Sequence, residues 1–172
     1  MEVAVEKISR ATLFNGLDKG EIEKVLALAR SVSWSSGQTI VTEDEPGDTI
    51  YIVYSGEVRV SKRLTLPQFA DESGQSEKTL LKLEASNEPI VIGEVAMLSQ
   101  AERTATVAAI KDCLGLEIRG PDLAKLCESE TALGFKVVRN LAQIMCERLK
   151  RANKDVVKLA TALSIAVSRG GR

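Results

Sequence analysis

Ile92-Gly93-Glu94-Val95-Ala96-Met97-Leu98-Ser99-Gln100-Ala101-Glu102-Arg103-Thr104-Ala105-Thr106-Val107 is the stretch on which the reading of this chain turns. A β-run ends in Gly93, a short apolar helical turn follows, and Arg103-Thr104-Ala105 opens the next β-run. Glycine lets the backbone come close to a ligand. The turn after it offers free N–H groups and positive dipole to an anion. Arg103 supplies a planar fork matched to a phosphate, and Glu94 is an acceptor suited to a sugar hydroxyl. Together these residues would hold a sugar phosphate. Without a ligand they read as a turn with a solvated acid, or as a structural ion pair between Glu94 and Arg103. Spacing alone leaves both readings open.

Outward from this stretch, between Arg30 and Arg119, the chain runs in short β-segments split by turn residues. They cover residues 32–34, 39–41, 50–54, 57–61, 79–83, 89–92, 104–110 and 113–118, with Gly37, Pro46-Gly47-Asp48 and Ser55-Gly56 among the turns. Eight short strands at this spacing predict an all-β sandwich, roll or barrel for the central section. Trp34 alternates with Val32 and belongs to its core or rim. Residues 64–78 are rich in Pro, Gly, Ser and acids and read as a solvated loop.

The flanks change to a helical period. Within residues 1–29, Ile22, Val25, Leu26 and Ala29 recur at 3–4 spacing, and Asp18 followed by Glu21 resembles a capping box opening a helix over 21–29. Beyond the roll at 30–119, Pro121 starts a short helix over 122–128. A long one then runs over about 130–168. Val138, Leu141, Met145, Leu149, Ala152, Val156, Leu159, Leu163 and Ala166 are spaced like a coiled-coil seam, which implies a homodimer. Val137, Ile144 and Val157 form a second set that would pack on the β-section.

Composition removes several function classes. The 172 residues include no histidine, so every Ser-His-Asp and Cys-His arrangement and every His-bearing metal site is absent. A net charge of -1 argues against coating nucleic acid or an anionic membrane. Lys136, Arg139, Arg148, Lys150, Arg151 and Lys154 read as a solvated basic helix face. Cys113, Cys127 and Cys146 fit no metal spacing and read as reduced, buried apolar residues of a cytoplasmic protein. The N-terminus lacks the apolar run of a signal peptide, and the stretch 156–167 is too short to span a bilayer.

Gly93-Glu94-Val95-Ala96-Met97, five residues, and Arg103-Thr104-Ala105-Thr106-Val107 resemble the phosphate-binding cassette of cyclic nucleotide-binding domains. Glu45-Pro46-Gly47-Asp48, Ile50-Tyr51-Ile52-Val53 and Gly56 resemble a second signature of that family, with Asp44 where it often has Gly. Leu13-Phe14-Asn15-Gly16-Leu17 resembles its N-terminal helical motif. The resemblance implies an α+β fold, an eight-stranded antiparallel, jelly-roll-like β-roll flanked by N-terminal helices and a long C-terminal helix. It implies that Arg103 pairs with the exocyclic phosphate oxygens and that Glu94 takes the ribose 2′-hydroxyl. Backbone N–H groups around Gly93, Val95 and Ala105 would complete the cradle, with Thr104 near the purine.

Residues 148–160 also resemble the dimer helix of the bacterial catabolite activator proteins. On that match Arg148 lies near the base, and Ala152 and Asn153 fall where polar residues meet it, although Ala152 carries no hydroxyl. The implied protein is not an enzyme and needs no cofactor or metal. It binds cAMP, or else cGMP, and relays binding through its C-terminal helix to a protein effector. The residues after Leu159 are too few for a helix-turn-helix, so DNA binding by this chain alone is not expected. The alternative is a protein-interaction module of the same fold without ligand, against which the intact Glu94, Arg103 and Thr104 argue.

Overall fold

Where the β-section doubles back is decided by its turns. Gly56 has φ +105°, and a Cβ there would lie 2.5 Å from the Asp112 carbonyl oxygen, so only glycine closes this hairpin. The computed structural model describes residues 6–63, 77–86, 88–99 and 102–170. Its strands are β1 (Arg30–Trp34), β2 (Thr39–Val41), β3 (Thr49–Ser55), β4 (Glu57–Arg63), β5 (Glu77–Glu84), β6 (Ile90–Ile92), β7 (Thr106–Ala109) and β8 (Cys113–Arg119). They form two four-stranded sheets, β1-β8-β3-β6 and β2-β7-β4-β5, with every pairing antiparallel. This is the expected eight-stranded roll. Of the segment read as a loop, residues 64–76 lie outside the described residues, and 77–78 begin β5.

β3 shows how the roll is filled. Successive side chains of a strand point to opposite faces. Ile50 and Ile52 pack among helices, whereas Tyr51 and Val53 meet Trp34, Val58, Ile92 and Val107 between the sheets. A strand covered on both sides is apolar almost throughout, which is why this one reads as a continuous hydrophobic run.

The helices follow from their caps. A 3₁₀ turn at Thr12–Phe14 precedes α1 (Lys19–Leu26). The Asp18 carboxylate accepts from the Glu21 N–H at 2.9 Å, and Glu21 accepts from the Asp18 N–H at 2.8 Å. That reciprocal cap starts α1 just after Asp18, two residues earlier than the apolar period suggests. α2 (Glu94–Ser99) sits between β6 and β7, and Pro121 lies in the first turn of α3 (Gly120–Ser129). α4 (Thr131–Gly170) has 40 residues and is about 60 Å long.

Packing sets the rotation of α4. Leu133, Val137, Leu141 and Ile144 are buried with Leu13, Phe14, Ile50 and Leu123. The predicted seam is corrected at Leu141, which is 1% exposed and belongs to this core face. The rest of the predicted apolar stripe is exposed, at Val138, Met145, Leu149, Val156, Leu159 and Leu163, and Val167 extends it. Val157 is 65% exposed and does not pack on the β-section, because its neighbours Val156 and Leu159 are the residues that this stretch of α4 turns toward the roll. The three cysteines are free, and the expected burial holds for Cys113 only. Burial pushes the Cys113 and Cys127 thiols up in pKa, while Cys146 is exposed on α4. Among the described residues no helix is long and apolar enough to cross a membrane.

Polar links tie the N-terminal segment to α4. Asn140 is fully buried, and its Nδ2 donates to the Leu13 carbonyl at 2.9 Å and the Asn15 carbonyl at 2.8 Å. Lys136 Nζ lies 2.7 Å from Glu21 Oε2, and that hydrogen bond holds the Glu21 carboxyl below its usual range. Asn140→Ala takes the donor from the buried Leu13 carbonyl, while the Asn15 carbonyl keeps Arg139 Nη2 at 3.5 Å. It is expected to cost about 1–2 kcal/mol, read as a lower urea midpoint with an unchanged slope.

Candidate functional site

Two distant segments of chain are clipped together to seat Arg103. The Asp44 N–H donates to the Arg103 carbonyl at 2.9 Å, and the Arg103 N–H donates to the Glu45 carbonyl at 2.8 Å. Pro46 and Glu102 extend the pairing as an isolated bridge. The Arg103 side chain then turns inward and is 7% exposed. Its Nη1 donates to the Thr49 carbonyl at 2.9 Å and to the Gly93 carbonyl at 3.4 Å. Its guanidinium carbon lies 5.9 Å from the centre of the Tyr51 ring, within cation–π range. Tyr51 rests edge-on against Trp34, centroids 5.6 Å apart, and burial pushes its phenol above the ordinary pKa. The guanidinium occupies the space that side chains at 47 and 93 would need. A Cβ on Gly47 would fall 2.0 Å from Arg103 Nε, and one on Gly93 2.2 Å from Nη1.

Glu94 opens α2 and is 0% exposed. It does not pair with Arg103, so the intramolecular Glu94–Arg103 ion pair left open by spacing is not formed. Its Oε1 lies 2.6 Å from Nη1 of Arg148 on α4, while Arg148 Nη2 donates to the Val91 carbonyl at 2.5 Å. Glu94 Oε2 is buried with no hydrogen-bond partner. Arg103 has no carboxylate partner among the described residues.

Between the roll and α4 lies a cavity of about 410 Å³. Gly93, Glu94, Val95, Arg103, Thr104 and Ala105 line it from the cassette, and Arg148 lines it from α4. Val41, Val60, Leu83, Ile92, Val107, Val156 and Leu159 make much of the remaining wall apolar. Asn153 is the one predicted residue the fold does not bring there. It is exposed, and its turn of α4 presents Arg151, Ala152 and Asp155 to the cavity instead. Arg151 and Asp155 were missed by motif reading. The signal was there in their spacing: 148, 151, 152 and 155 are one helical face. Among the described residues, Arg103, Arg148 and Arg151 line the cavity with Glu94 and Asp155, an excess of one positive charge.

A basic, enclosed seat beside a fully buried carboxylate, on a two-sheet roll, is the arrangement the cassette implied. Residues 31–130 match the family described as the cyclic nucleotide-binding domain. The chain belongs to that family. It is similar to the CRP-like cAMP-activated global transcriptional regulator of Mycobacterium tuberculosis, 23% identical over 154 residues that cover 90% of this chain and 62% of the regulator. Thus it spans about three-fifths of that relative's length. Among solved structures it resembles the Thermus thermophilus catabolite activator protein, with a TM-score of 0.71 and 26% identity over 87% of this chain and 63% of that one. It also shares its fold with a cyclic nucleotide-binding domain from Methylobacillus flagellatus, with a TM-score of 0.74 and 22% identity over 91% and 82% of the two chains.

For this cyclic nucleotide-binding domain the glycine at 47 has a specific consequence. Gly47→Ala puts a methyl group into the Arg103 guanidinium, whose Nε, Cζ and Nη2 are the three atoms nearest to it. Nucleotide affinity is expected to fall about tenfold or more as Arg103 leaves its seat, a loss of ~1.4 kcal/mol. The single tryptophan, Trp34, reaches the site through Tyr51, so its fluorescence is a direct titration signal. Unaltered affinity in Gly47→Ala would show that the seat is not what positions Arg103.

Proposed function

We propose that the chain is a non-enzymatic sensor that binds a cyclic purine nucleotide and relays binding through α4. The observation that carries this reading is Arg103: a buried guanidinium, facing a cavity, with no carboxylate among the described residues to neutralise it. A charge held out of water is costly unless an opposite charge meets it. A monoanionic cyclic phosphate supplies that charge and cancels the cavity's excess of one. Glu94 Oε2, buried and unpartnered, takes the ribose 2′-hydroxyl. Backbone groups at Gly93, Val95 and Ala105 complete the cradle, Thr104 lies toward the purine, and the apolar wall covers the base. The ionisable side chains of the lining are carboxylates and guanidiniums, with no nucleophile–base couple among them, which supports a regulatory role.

The likeness of 148–160 to catabolite activators, and a relative described as cAMP-activated, favour cAMP as the signal. The relay begins at Arg148, which joins the cassette to α4 through Glu94 and Val91. A 2′-hydroxyl arriving at Glu94 changes the partners of that carboxylate. Affinity then differs between helix positions, and this difference is what moves an equilibrium. The exposed stripe from Val138 to Val167 is closed by the same stripe of a second copy, giving a homodimer. Output passes to a protein effector in the cytoplasm, a compartment that suits three free cysteines.

Calorimetry on ligand-stripped protein tests the pocket. Arg103→Ala is expected to lose about 2–5 kcal/mol, roughly 30- to several-thousand-fold in affinity. Arg103→Lys recovers only part, since an ammonium cannot reproduce the fork. Equal binding by Arg103→Ala and wild type would refute the site.

The dimer is tested away from the pocket. Leu163→Glu with Val167→Glu puts four charges into a paired seam, and light scattering is expected to read a monomer where the wild type reads a dimer. Removing α4 outright would be uninformative, because Leu133, Val137 and Leu141 belong to the core. A wild-type monomer would end the dimer proposal.

A further inference from the structure

We infer that Glu43, which does not line the cavity, is a positioning residue of the site: it anchors the strained turn from which Arg103 is clipped into its seat. The role acts through Arg103 and so rests on the reading of the chain as a nucleotide sensor.

Glu43 is 8% exposed, and each of its polar groups is engaged. Its N–H donates to Thr106 Oγ1 at 3.0 Å, at the start of β7. Its carbonyl accepts from Arg63 Nη2 at 3.3 Å, and Oε2 accepts from the Arg63 N–H at 2.8 Å, at the end of β4. Oε1 lies 3.6 Å from Nζ of the half-exposed Lys62. A buried carboxylate is tolerated when it is paired and hydrogen-bonded. Here the partners come from the two strands whose pairing ends at Ser61 and Thr106. Glu43 is thereby fixed to the frame of the β4–β7 pair.

What needs the anchor is the next residue. Glu43 and Asp44 form the middle of a turn in which the Glu45 N–H donates to the Thr42 carbonyl at 3.4 Å. Asp44 has φ +67°, the one positive value at a residue other than glycine among the described residues. A positive φ at the third residue of a turn favours glycine. With a side chain it persists only where the surroundings over-determine it. The Asp44 carboxylate adds little, since its pairing with Arg63 at 3.4 Å joins two exposed groups. Asp44 and Glu45 make the clip to the Arg103 backbone, and Glu43 holds the turn from the side away from that clip. Freed of Glu43, the turn relaxes toward negative φ and swings the Asp44 N–H off the Arg103 carbonyl. The backbone under Arg103 then loses its fixed direction. A site whose binding arrangement is only partly populated binds more weakly in proportion.

Calorimetry of cAMP on the full chain, well below the melting temperature, tests the anchor through a rescue. Glu43→Ala is expected to weaken binding about fivefold or more. Glu43→Gln keeps an acceptor for the Arg63 N–H and is expected to stay within about twofold of wild type. Glycine takes φ +67° without strain, so a turn that carries it needs no anchor. Adding Asp44→Gly to Glu43→Ala is therefore expected to bring affinity back to within about twofold of wild type. A residue that only stabilised the fold would shift the melting temperature, and its neighbour would not restore affinity. Wild-type affinity in Glu43→Ala, or a double variant that binds no better than Glu43→Ala, overturns the inference. If Arg103→Ala loses binding in the same titration and Glu43→Ala does not, the anchor fails and the sensor stands. If the wild type binds neither cAMP nor cGMP, the sensor reading fails and takes this inference with it.

Discussion

A guanidinium withdrawn from water must be held by something, and the architecture around Arg103 is a set of answers to that demand. Two carbonyls accept its protons, an aromatic face lies beside it, and two glycines leave it room. None of these groups carries a formal negative charge. Carbonyl dipoles and a ring quadrupole orient the cation without neutralising it, so the site stays attractive to an anion. The clip between 44–46 and 102–103 has its purpose in the same place. It fixes the backbone from which Arg103 springs, and Tyr51 and Trp34 tie the seat into the core between the sheets.

Glu94 is the complementary constraint. A carboxylate at 0% exposure also needs a counter-charge, and the chain supplies it from α4 as Arg148. The pair joins the cassette to the helix at the same level as the cavity. One face of α4 is sunk in the core through Leu133, Val137, Leu141 and Ile144, one faces the cavity through Arg148 to Asp155, and a third carries an unpartnered apolar stripe. A small change of contact at Glu94 therefore acts on the element that also carries the exposed stripe. Asn140 and Lys136 bring the N-terminal segment into the same body, because they bind the 3₁₀ turn and α1 directly to α4.

Local chemistry made much of this legible before any coordinates. The capping pair Asp18 and Glu21, the turn at Gly56 and the apolar run of β3 each act through neighbours within a few residues or through solvent exclusion on both faces. The cassette was readable for a related reason. Gly93, Glu94, Arg103, Thr104 and Ala105 lie within thirteen residues, so a short connection brings them to one cavity with little freedom to do otherwise. Strand ends were less secure: 104–105, read as strand, form the bend that turns Arg103 inward before β7.

The sequence by itself determined the short β-strands, the flanking helices and the cassette, because periodicity, caps and turn glycines are properties of adjacent residues. The resemblance of the cassette chose a roll from among sandwich, roll and barrel. Only the tertiary structure decided the rotation of α4. A helix carrying apolar residues on several faces has no preferred side until one is buried, and burial of Leu141 beside Leu133, Val137 and Ile144 made the choice. From that rotation followed the facts no motif contains: Arg148 meets Glu94, Arg151 and Asp155 face the cavity, and Asn153, Cys146 and Val157 face water. Each depends on a contact between residues far apart in the chain. Spacing along one helix says which side chains share a face, but only the partner says which face is inside.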